Sequence, residues 1–306
     1  MKLYVAVTDY DWFKHLKGLE TDEVNFWQPG GSRLFKTLLP GEPFLFKLHS
    51  PRNYIVGGGF FAHSSLLLTS LTWDAFEEKN GAKSLIEMRQ RIERLRHSPP
   101  KPHEDYEIGC IILTQPFFLD EKDWIPTPRD FARNIVQGRS YDMTSGTGAA
   151  LWAEVQGRLP VSAAGQPQVR EVTPTRGEPV LIRPRLGQGA FRVVVSDVYE
   201  RRCAITGEKV LPVLEAAHIK PVKDGGQHET TNGILLRSDL HKLFDKGYVT
   251  VTPDHRCRVS RKLKDDFHNG EEYMRLTDSE LWLPRAVEDR PNREFLEWHA
   301  DTVFRG

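Results

Sequence analysis

Two histidines, an asparagine and a carboxylate lie within one short stretch of this 306-residue chain. His218 ends an apolar run, Asn232 follows a turn-rich loop, and His241 precedes Asp245 by four residues. Residues four apart share one face of a helix, where imidazole nitrogen and carboxylate oxygen can together ligate a divalent cation. A neutral histidine facing such a cation can take a proton from water. The pattern therefore predicts metal-assisted hydrolysis.

The elements that must position these side chains are a hairpin and a short helix. Residues 210–219 are mostly apolar or small and predict a strand. Residues 223–232 form a polar loop with a Gly-Gly pair, and 233–237 return as a second apolar strand. Ser238 is a suitable N-cap for a helix over 239–246. The chain thus brings its polar residues together on a β-hairpin followed by one helix.

Glu215 lies on the first of these strands and is our candidate for completing a metal shell with His241 and Asp245. Each histidine also has an ordinary interpretation. His241 alone is typical of a surface helix, and His218 alone is typical of a hydrogen-bonded core position. Their occurrence together with Asn232, in this order and at this spacing, favours the catalytic interpretation.

The same segments resemble a known motif. They are AHIKP at 217–221, GG at 225–226, NG at 232–233 and DLHKLFD at 239–245. Together they are similar to the HNH nuclease motif, in the AHIKP variety found in bacterial restriction endonucleases. The resemblance implies a C-terminal ββα-metal (HNH) nuclease domain, part of a chain of the α+β class.

The resemblance also implies roles for individual residues. His218 matches the general base, Asn232 the residue that holds the hairpin loop and the base, and His241 a metal ligand. Asp245 occupies the position of a second helix ligand, and the implied cofactor is a divalent metal, Mg2+ by default with Mn2+ as the alternative. Ala217 stands where many HNH enzymes have an Asp or His ligand, which is why Glu215 is proposed in its place. A structural zinc is not expected, because no paired CxxC knuckle is present.

Composition narrows the class of protein. The chain is long enough for two domains, each with its own core. Lys plus Arg and Asp plus Glu number 42 each, so net charge argues neither for nor against nucleic acid. Three widely spaced cysteines are not a disulfide framework and fit a reducing cytoplasm. With no apolar run approaching 18 residues, we expect a cytoplasmic protein without a membrane partner.

Residues 1–157 predict a separate domain of strands and short helices. Strands are expected at 3–8, 43–49, 54–62 and 108–114, and a helix at 83–96. Strands wrapped by short helices, with antiparallel-type connections, favour a small β-barrel with flanking helices over a doubly wound sheet.

Three segments of this domain resemble the EVE branch of PUA-like domains: NFWQPGG at 25–31, LPGEPFLFK at 39–47 and IVGGGFF at 55–61. Members of this branch bind nucleic acid, and several accept a flipped, modified base in an aromatic pocket. Stacking and edge hydrogen bonds must offset an unstacking cost of a few kcal/mol. For any single tryptophan, a place in the core remains the alternative. The candidate pocket residues are Trp27, Asn25, Gln28, Trp73 and Tyr141.

A change in composition at 158–190 predicts a basic linker rich in Pro, Gly and Arg before an endonuclease domain at 191–306. Basic side chains here and near the hairpin are candidates for contacts with the DNA backbone, which hold position without reading sequence. A merely solvated linker is the alternative for its first half. The candidate backbone contacts are Arg183, Arg185, Arg192 and Lys220.

Taken together, the sequence predicts a metal-dependent endonuclease acting on double-stranded DNA that carries 5-methyl- or 5-hydroxymethylcytosine. Such an enzyme would restrict foreign DNA in the manner of type IV restriction systems, and a homodimer would be a simple route to cutting both strands. Two alternatives stay open. One is a non-catalytic DNA reader, and the other is an HNH nuclease acting on RNA or on unmodified DNA.

Overall fold

A computed structural model describes residues 1–96, 104–159 and 185–306. The chain divides into two compact units, Met1–Ala190 and Phe191–Gly306. Within the described ranges, no helix combines the length and apolar character needed to cross a membrane.

The first unit is built on one mixed sheet, to which its described residues contribute seven strands. The strands are Lys2–Thr8 (β1), Glu23–Gln28 (β2), Pro43–Leu48 (β3), Tyr54–Leu68 (β4), Glu107–Phe118 (β5), Ile125–Pro126 (β6) and Gly138–Asp142 (β7). Their order in the sheet is β2-β5-β4-β3-β1-β7, and β6 pairs with β4. All neighbouring strands are antiparallel except β1 and β3, which are parallel.

This sheet is open, which corrects the predicted barrel. Among the described residues, no pairing joins the end strands β2 and β7. The α+β class is observed, and the helices of the unit are Tyr10–Lys17 (α1), Thr69–Phe76 (α2), Leu85–Arg96 (α3) and Gly146–Gln156 (α4). All six residues of β3 are buried, as expected for a strand with both faces covered.

Two apolar clusters share the residues of the sheet by strict alternation. In β1, Val5 belongs to one cluster and Ala6 to the other. In β3, Leu45 joins the cluster of Val5, whereas Phe44 joins that of Ala6. Successive side chains of a strand point to opposite faces, so the two clusters lie on the two sides of the sheet. Helix α1 contributes to the cluster of Ala6, and helix α4 to that of Val5.

The glycines of β4 have a structural reason. A Cβ atom on Gly57 would lie 2.3 Å from the Phe117 carbonyl oxygen, and one on Gly58 would lie 2.7 Å from that of Phe44. Strand β4 can therefore lie between β3 and β5 only if these positions lack side chains. The Gly-rich segment that suggested a base-binding domain is thus required by the sheet itself.

The second unit holds the predicted hairpin and helix. Strands Leu214–His218 (β8) and Gly233–Arg237 (β9) pair antiparallel, with His218 opposite Gly233. The predicted helix is observed as Ser238–Asp245, with Arg237 rather than Ser238 at the N-cap. We label this helix α6. It is preceded by helix Gln188–Val198 (α5), which begins in the first unit and ends in the second. The elements after α6 are strands Val249–Val251 (β10) and Cys257–Val259 (β11) and helices Lys262–Phe267 (α7), Glu271–Met274 (α8) and Arg293–Thr302 (α9).

A buried histidine joins α9 to this core. His299 is 2% exposed, and its ring stacks on Phe244 with centroids 3.7 Å apart. Its Nε2 donates to the Phe244 carbonyl at 3.1 Å, because a carbonyl can only accept. Its Nδ1 therefore accepts from the Thr250 hydroxyl at 2.8 Å. Burial lowers the pKa of His299 from 6.5 to about 4, so the ring is neutral at pH 7.

We expect this histidine to make folding sensitive to acid. Because the pKa of His299 is lower in the folded chain than in the unfolded chain, only the unfolded chain binds a proton at this residue between these two pKa values. The free energy of unfolding should thus fall as pH decreases from 6.5 toward 4, by about 3 kcal/mol at most from this residue. Urea unfolding at pH 7 and pH 4.5 measures the loss. In His299→Gln the difference between the two pH values should shrink, and an unchanged difference would rule this source out.

Candidate active site

The end of strand β8 and the start of strand β9 place His218 and Asn232 close together. Ile219 N donates to the Asn232 carbonyl at 2.9 Å, which continues the pairing of His218 with Gly233. A Cβ atom on Gly233 would lie 2.5 Å from Val195 Cγ2. Glycine here therefore lets helix α5 pack directly on the hairpin beside His218.

Asn232 is fully buried and fastens the loop between the two strands. Its Oδ1 accepts from Lys220 N at 2.9 Å, and its Nδ2 donates to the carbonyls of Lys220 and Gln227, both at 2.9 Å. Gly226 lies against the same group, since a Cβ atom there would be 1.9 Å from the Lys220 carbonyl oxygen. One amide thus holds both sides of the loop, and only glycine fits next to it.

His218 is held from two directions. Phe191 of helix α5 stacks on its ring with centroids 3.9 Å apart and an interplanar angle of 11°. His218 Nε2 also lies 3.0 Å from Nδ1 of His228, which is in the hairpin loop. Burial is the largest cause that lowers the pKa of His218 from 6.5 to about 4, and the charges of His228, His241 and Arg192 act in the same direction. The ring is therefore neutral at pH 7, the state a proton acceptor requires.

His241 stands between two carboxylates. Its Nδ1 lies 2.6 Å from Glu215 Oε2, and its Nε2 lies 3.5 Å from Asp245 Oδ2. An ionised carboxylate only accepts, so Nδ1 donates its proton to Glu215. A neutral His241 then has a lone pair on Nε2 that faces the Asp245 carboxylate. Two acceptors in that position repel each other unless a proton or a cation lies between them.

The positions of the two carboxylates limit which of the predicted ligands can bind one metal ion. Glu215 and Asp245 lie at opposite nitrogens of one ring, so a single ion cannot take both carboxylates together with His241. Among the residues that the structure describes, no group of three or more His, Cys, Asp or Glu side chains could hold a metal ion. His241 Nε2 and Asp245 offer a divalent cation one nitrogen and one oxygen donor, a two-residue set that would leave its other positions to water. Glu215 then has the outer role of orienting the ligating ring, which metal-bound histidines usually require.

The basic residues predicted to contact DNA have different environments. Lys220 lies over the Trp298 ring, with Nζ 5.5 Å from the centroid. Arg192 is exposed and close enough to His218 to lower the pKa of that histidine. Arg185 is exposed at the start of the described range 185–306, within the predicted linker. Arg183 lies outside the described residues.

Two of the predicted pocket residues belong to the interior of the first unit. Trp27 is 8% exposed, and its Nε1 donates to the Asn80 carbonyl at 2.9 Å. Asn25 is fully buried, and its Nδ2 donates to Asn80 Oδ1 at 2.8 Å. The Asn80 side chain in turn donates to the carbonyls of Thr72 and Glu77. These contacts join strand β2 to the 3-10 turn after helix α2.

The remaining pocket residues lie elsewhere in that unit. Tyr141, in strand β7, is 6% exposed and packs in the cluster of Val5, with its hydroxyl 3.3 Å from Asp130 Oδ1. Gln28 is half-buried at the end of β2. Trp73, also half-buried, lines a cavity of about 370 Å³ together with Asp74, Glu77, Glu78 and Lys83. The structure thus brings Asn25 and Trp27 together but places Tyr141 and Trp73 with other partners.

The sequence interpretation missed two residues that contact His218. Phe191 gave no chemical indication, because an aromatic residue on an apolar helix face is typical of a core. His228 gave one, since it is a third histidine between 218 and 241, in the loop that Asn232 holds.

Comparisons with known proteins identify the domain that carries this site. Residues 203–252 match the model of the HNH_2 family, described as HNH endonuclease. No curated protein matches the chain. Among solved structures, a "Modification dependent TagI restriction endonuclease" aligns at 13% identity over 97% of this chain and 81% of that one, with a TM-score of 0.29. A score of this size does not establish a common fold.

The family match confirms the prediction of an HNH endonuclease domain and assigns it to residues 203–252. That range includes β8, β9 and α6, and with them the two histidines and the asparagine of the motif. The bounds 191–306 expected for that domain stay a prediction. The EVE-like character expected of the first unit is not confirmed by these comparisons.

Proposed function

We propose that this protein is a divalent-metal-dependent endonuclease that hydrolyses phosphodiester bonds of double-stranded DNA. One observation carries the proposal: the HNH domain holds a neutral His218 in a fixed orientation, next to the buried Asn232 that fastens its loop. A neutral imidazole that is stacked, hydrogen-bonded and fixed on a rigid hairpin has the properties of a general base.

In the proposed reaction, His218 accepts a proton from a water molecule as the water oxygen attacks the scissile phosphorus. The bond between phosphorus and the 3′ oxygen breaks, and the leaving oxygen takes a proton from solvent. The products carry a 5′-phosphate and a 3′-hydroxyl. Asn232 keeps the loop and the base in position through its three hydrogen bonds. Holding the base in place before the substrate arrives lowers the entropic part of the barrier.

His241 and Asp245 would hold the divalent cation, Mg2+ or Mn2+, with Glu215 fixing the ring of His241. Such a cation supplies stabilisation of the negative charge that grows on the phosphate in the transition state. Two protein ligands suit Mg2+, which keeps several waters and usually takes one or two carboxylates.

Positive side chains would hold the DNA backbone around this site. Arg192 is exposed near His218. Lys220 follows His218 by two residues, just after the end of β8. Arg183 and Arg185 precede helix α5 in the chain. Contacts of this kind add affinity that falls steeply with salt and carry no sequence information.

The proposed target is DNA that carries 5-methyl- or 5-hydroxymethylcytosine, read by the first unit. This selectivity rests on the resemblance of residues 25–61 to EVE domains. Among the predicted pocket residues, Trp73 lines a cavity of about 370 Å³. A homodimer would place two such nuclease sites on the two strands.

Matched plasmids test the activity and its selectivity together. We expect cleavage of plasmids containing either modified cytosine in Mg2+ or Mn2+, little cleavage of the unmodified plasmid, and none with EDTA, because the reaction requires the cation. Products are scored on gels, with RNA of the same sequence as a further substrate. Equal cutting of all plasmids would contradict the proposed selectivity for modified cytosine and would still support the nuclease activity. Binding without cutting in either metal would replace the enzyme with a non-catalytic reader.

A further inference from the structure

The contact between His218 and His228 fixes where protons can lie. Nε2 of His218 and Nδ1 of His228 are 3.0 Å apart, a hydrogen-bond distance, so one of the two nitrogens carries the hydrogen and the other accepts it. Because His218 is neutral at pH 7, its ring carries a single proton. The direction of this one hydrogen bond therefore decides which nitrogen of His218 retains a lone pair.

Only one direction leaves His218 able to act as a base. If His228 donated, the proton of His218 would be on Nδ1, and the lone pair on Nε2 would be occupied by the bond. If His218 donates from Nε2, its Nδ1 keeps a free lone pair. His228 then carries its own proton on Nε2, and both rings have the tautomer that is more stable for an isolated histidine side chain. Among the described residues, no hydrogen-bond partner is found for Nδ1 of His218.

We propose that His228 is a positioning residue that selects the Nε2–H tautomer of His218 and so leaves Nδ1 as the proton acceptor. This inference rests on the proposed function of His218. The pair also responds to the reaction, because the Nε2–H···Nδ1 bond becomes charge-assisted once His218 has taken the proton of water. Phe191 holds the ring plane through stacking, and His228 sets the rotation within that plane. The same logic operates wherever a catalytic imidazole is oriented by a group at its second nitrogen.

The loop gives His228 little freedom to move away. It lies between Gln227, whose carbonyl accepts from Asn232, and Thr230, whose hydroxyl donates to Asp289 at 2.8 Å. The His228 ring also lies 5.7 Å from the Phe191 ring. Since His228 is half-buried, its own Nε2–H can remain hydrated.

Nitrogen-15 NMR of the full-length protein at pH 7 tests the tautomer without any substrate. With labelled histidine, long-range proton–nitrogen spectra distinguish a ring protonated on Nε2 from one protonated on Nδ1. We expect His218 to be the Nε2–H form in the wild type and a mixture in His228→Ala. Finding His218 protonated on Nδ1 in the wild type would overturn the inference. The NMR measurement does not depend on cleavage. The assignment of the tautomer can therefore be wrong while the nuclease activity is confirmed, and the tautomer can be confirmed while no cleavage is observed.

Kinetics of the same variants provide the second test. We expect His228→Ala to lower kcat roughly 10- to 100-fold with little change in KM, because the proposed role of His228 is to orient the base and not to bind DNA. His228→Asn places an amide oxygen near the position of Nδ1, so it should recover much of the rate and the Nε2–H form. Gln227→Ala is the matched control, since its side chain is exposed in the same loop. A wild-type kcat in His228→Ala would contradict the proposal. If the alanine variant does not fold, the rate and the tautomer of His228→Asn provide the test instead.

Discussion

Replacing His218 with alanine should lower the rate of DNA cleavage by roughly 10²- to 10⁴-fold, which is the contribution expected of a general base. The side chain is the neutral imidazole of the site, stacked on Phe191 and directed by His228. Its loss removes the proton acceptor and leaves the pair of His241 and Asp245 in place. Single-turnover cleavage of a modified plasmid in Mg2+ measures the chemical step directly.

Binding and stability separate this effect from a loss of fold. We expect His218→Ala to bind DNA in EDTA with nearly the wild-type affinity, because backbone contacts come from basic side chains. His218→Asn is the matched variant, since it keeps a polar side chain at the strand end without a base of suitable pKa. Cleavage by His218→Ala at the wild-type rate would show that another group takes the proton.

The hairpin and helix of the site were predictable because their determinants are local. Strand β9 occupies Gly233–Arg237, the same range as predicted, and α6 begins and ends one residue earlier than the predicted 239–246. A Gly-Gly loop, an apolar run and a helical spacing lie next to one another in the chain. The first strand was predicted too long, because Leu211–Val213 form a 3-10 turn before it.

The first unit shows what local patterns cannot decide. Four of its seven described strands were predicted in approximately the right places, whereas β2, β6 and β7 were not predicted. The barrel was wrong because closure depends on which strands pair. Strand β1 pairs in parallel with β3, more than 30 residues later, and β2 pairs with β5 across a longer interval. Pairing at such separations is set by packing of the whole sheet, which no short window contains.

The candidate site was predictable in its residue types and not in its contacts. His218, Asn232 and His241 were predicted as site residues from spacing and from the motif, and Asn232 forms three hydrogen bonds to the loop. That Glu215 and Asp245 face opposite nitrogens of His241 depends on how α6 crosses the hairpin. His228 reaches His218 only because the loop folds back, which requires the tertiary structure.

The second large effect should come from His241, because its Nε2 is the nitrogen of the proposed cation site. We expect His241→Ala to reduce metal-dependent cleavage by about 10³-fold or more, since the charge on the transition state would lose its stabilisation. Mn2+ binding to the free protein, followed by electron paramagnetic resonance, should weaken in parallel. Activity of His241→Ala that still depended on Mn2+ with wild-type affinity would place the cation elsewhere.

The two carboxylates beside His241 should respond differently, and that difference tests the assignment. Asp245→Asn removes the charge proposed to ligate the cation, so we expect Mn2+ affinity to fall by about tenfold or more. Glu215→Gln keeps a side-chain oxygen that can accept from His241 Nδ1, so the loss should be smaller. The pair is well matched, because both carboxylates are exposed and both changes are isosteric. If Glu215→Gln weakened Mn2+ binding more than Asp245→Asn, the strand carboxylate would be the ligand, and His241 would have to present Nδ1 to the ion.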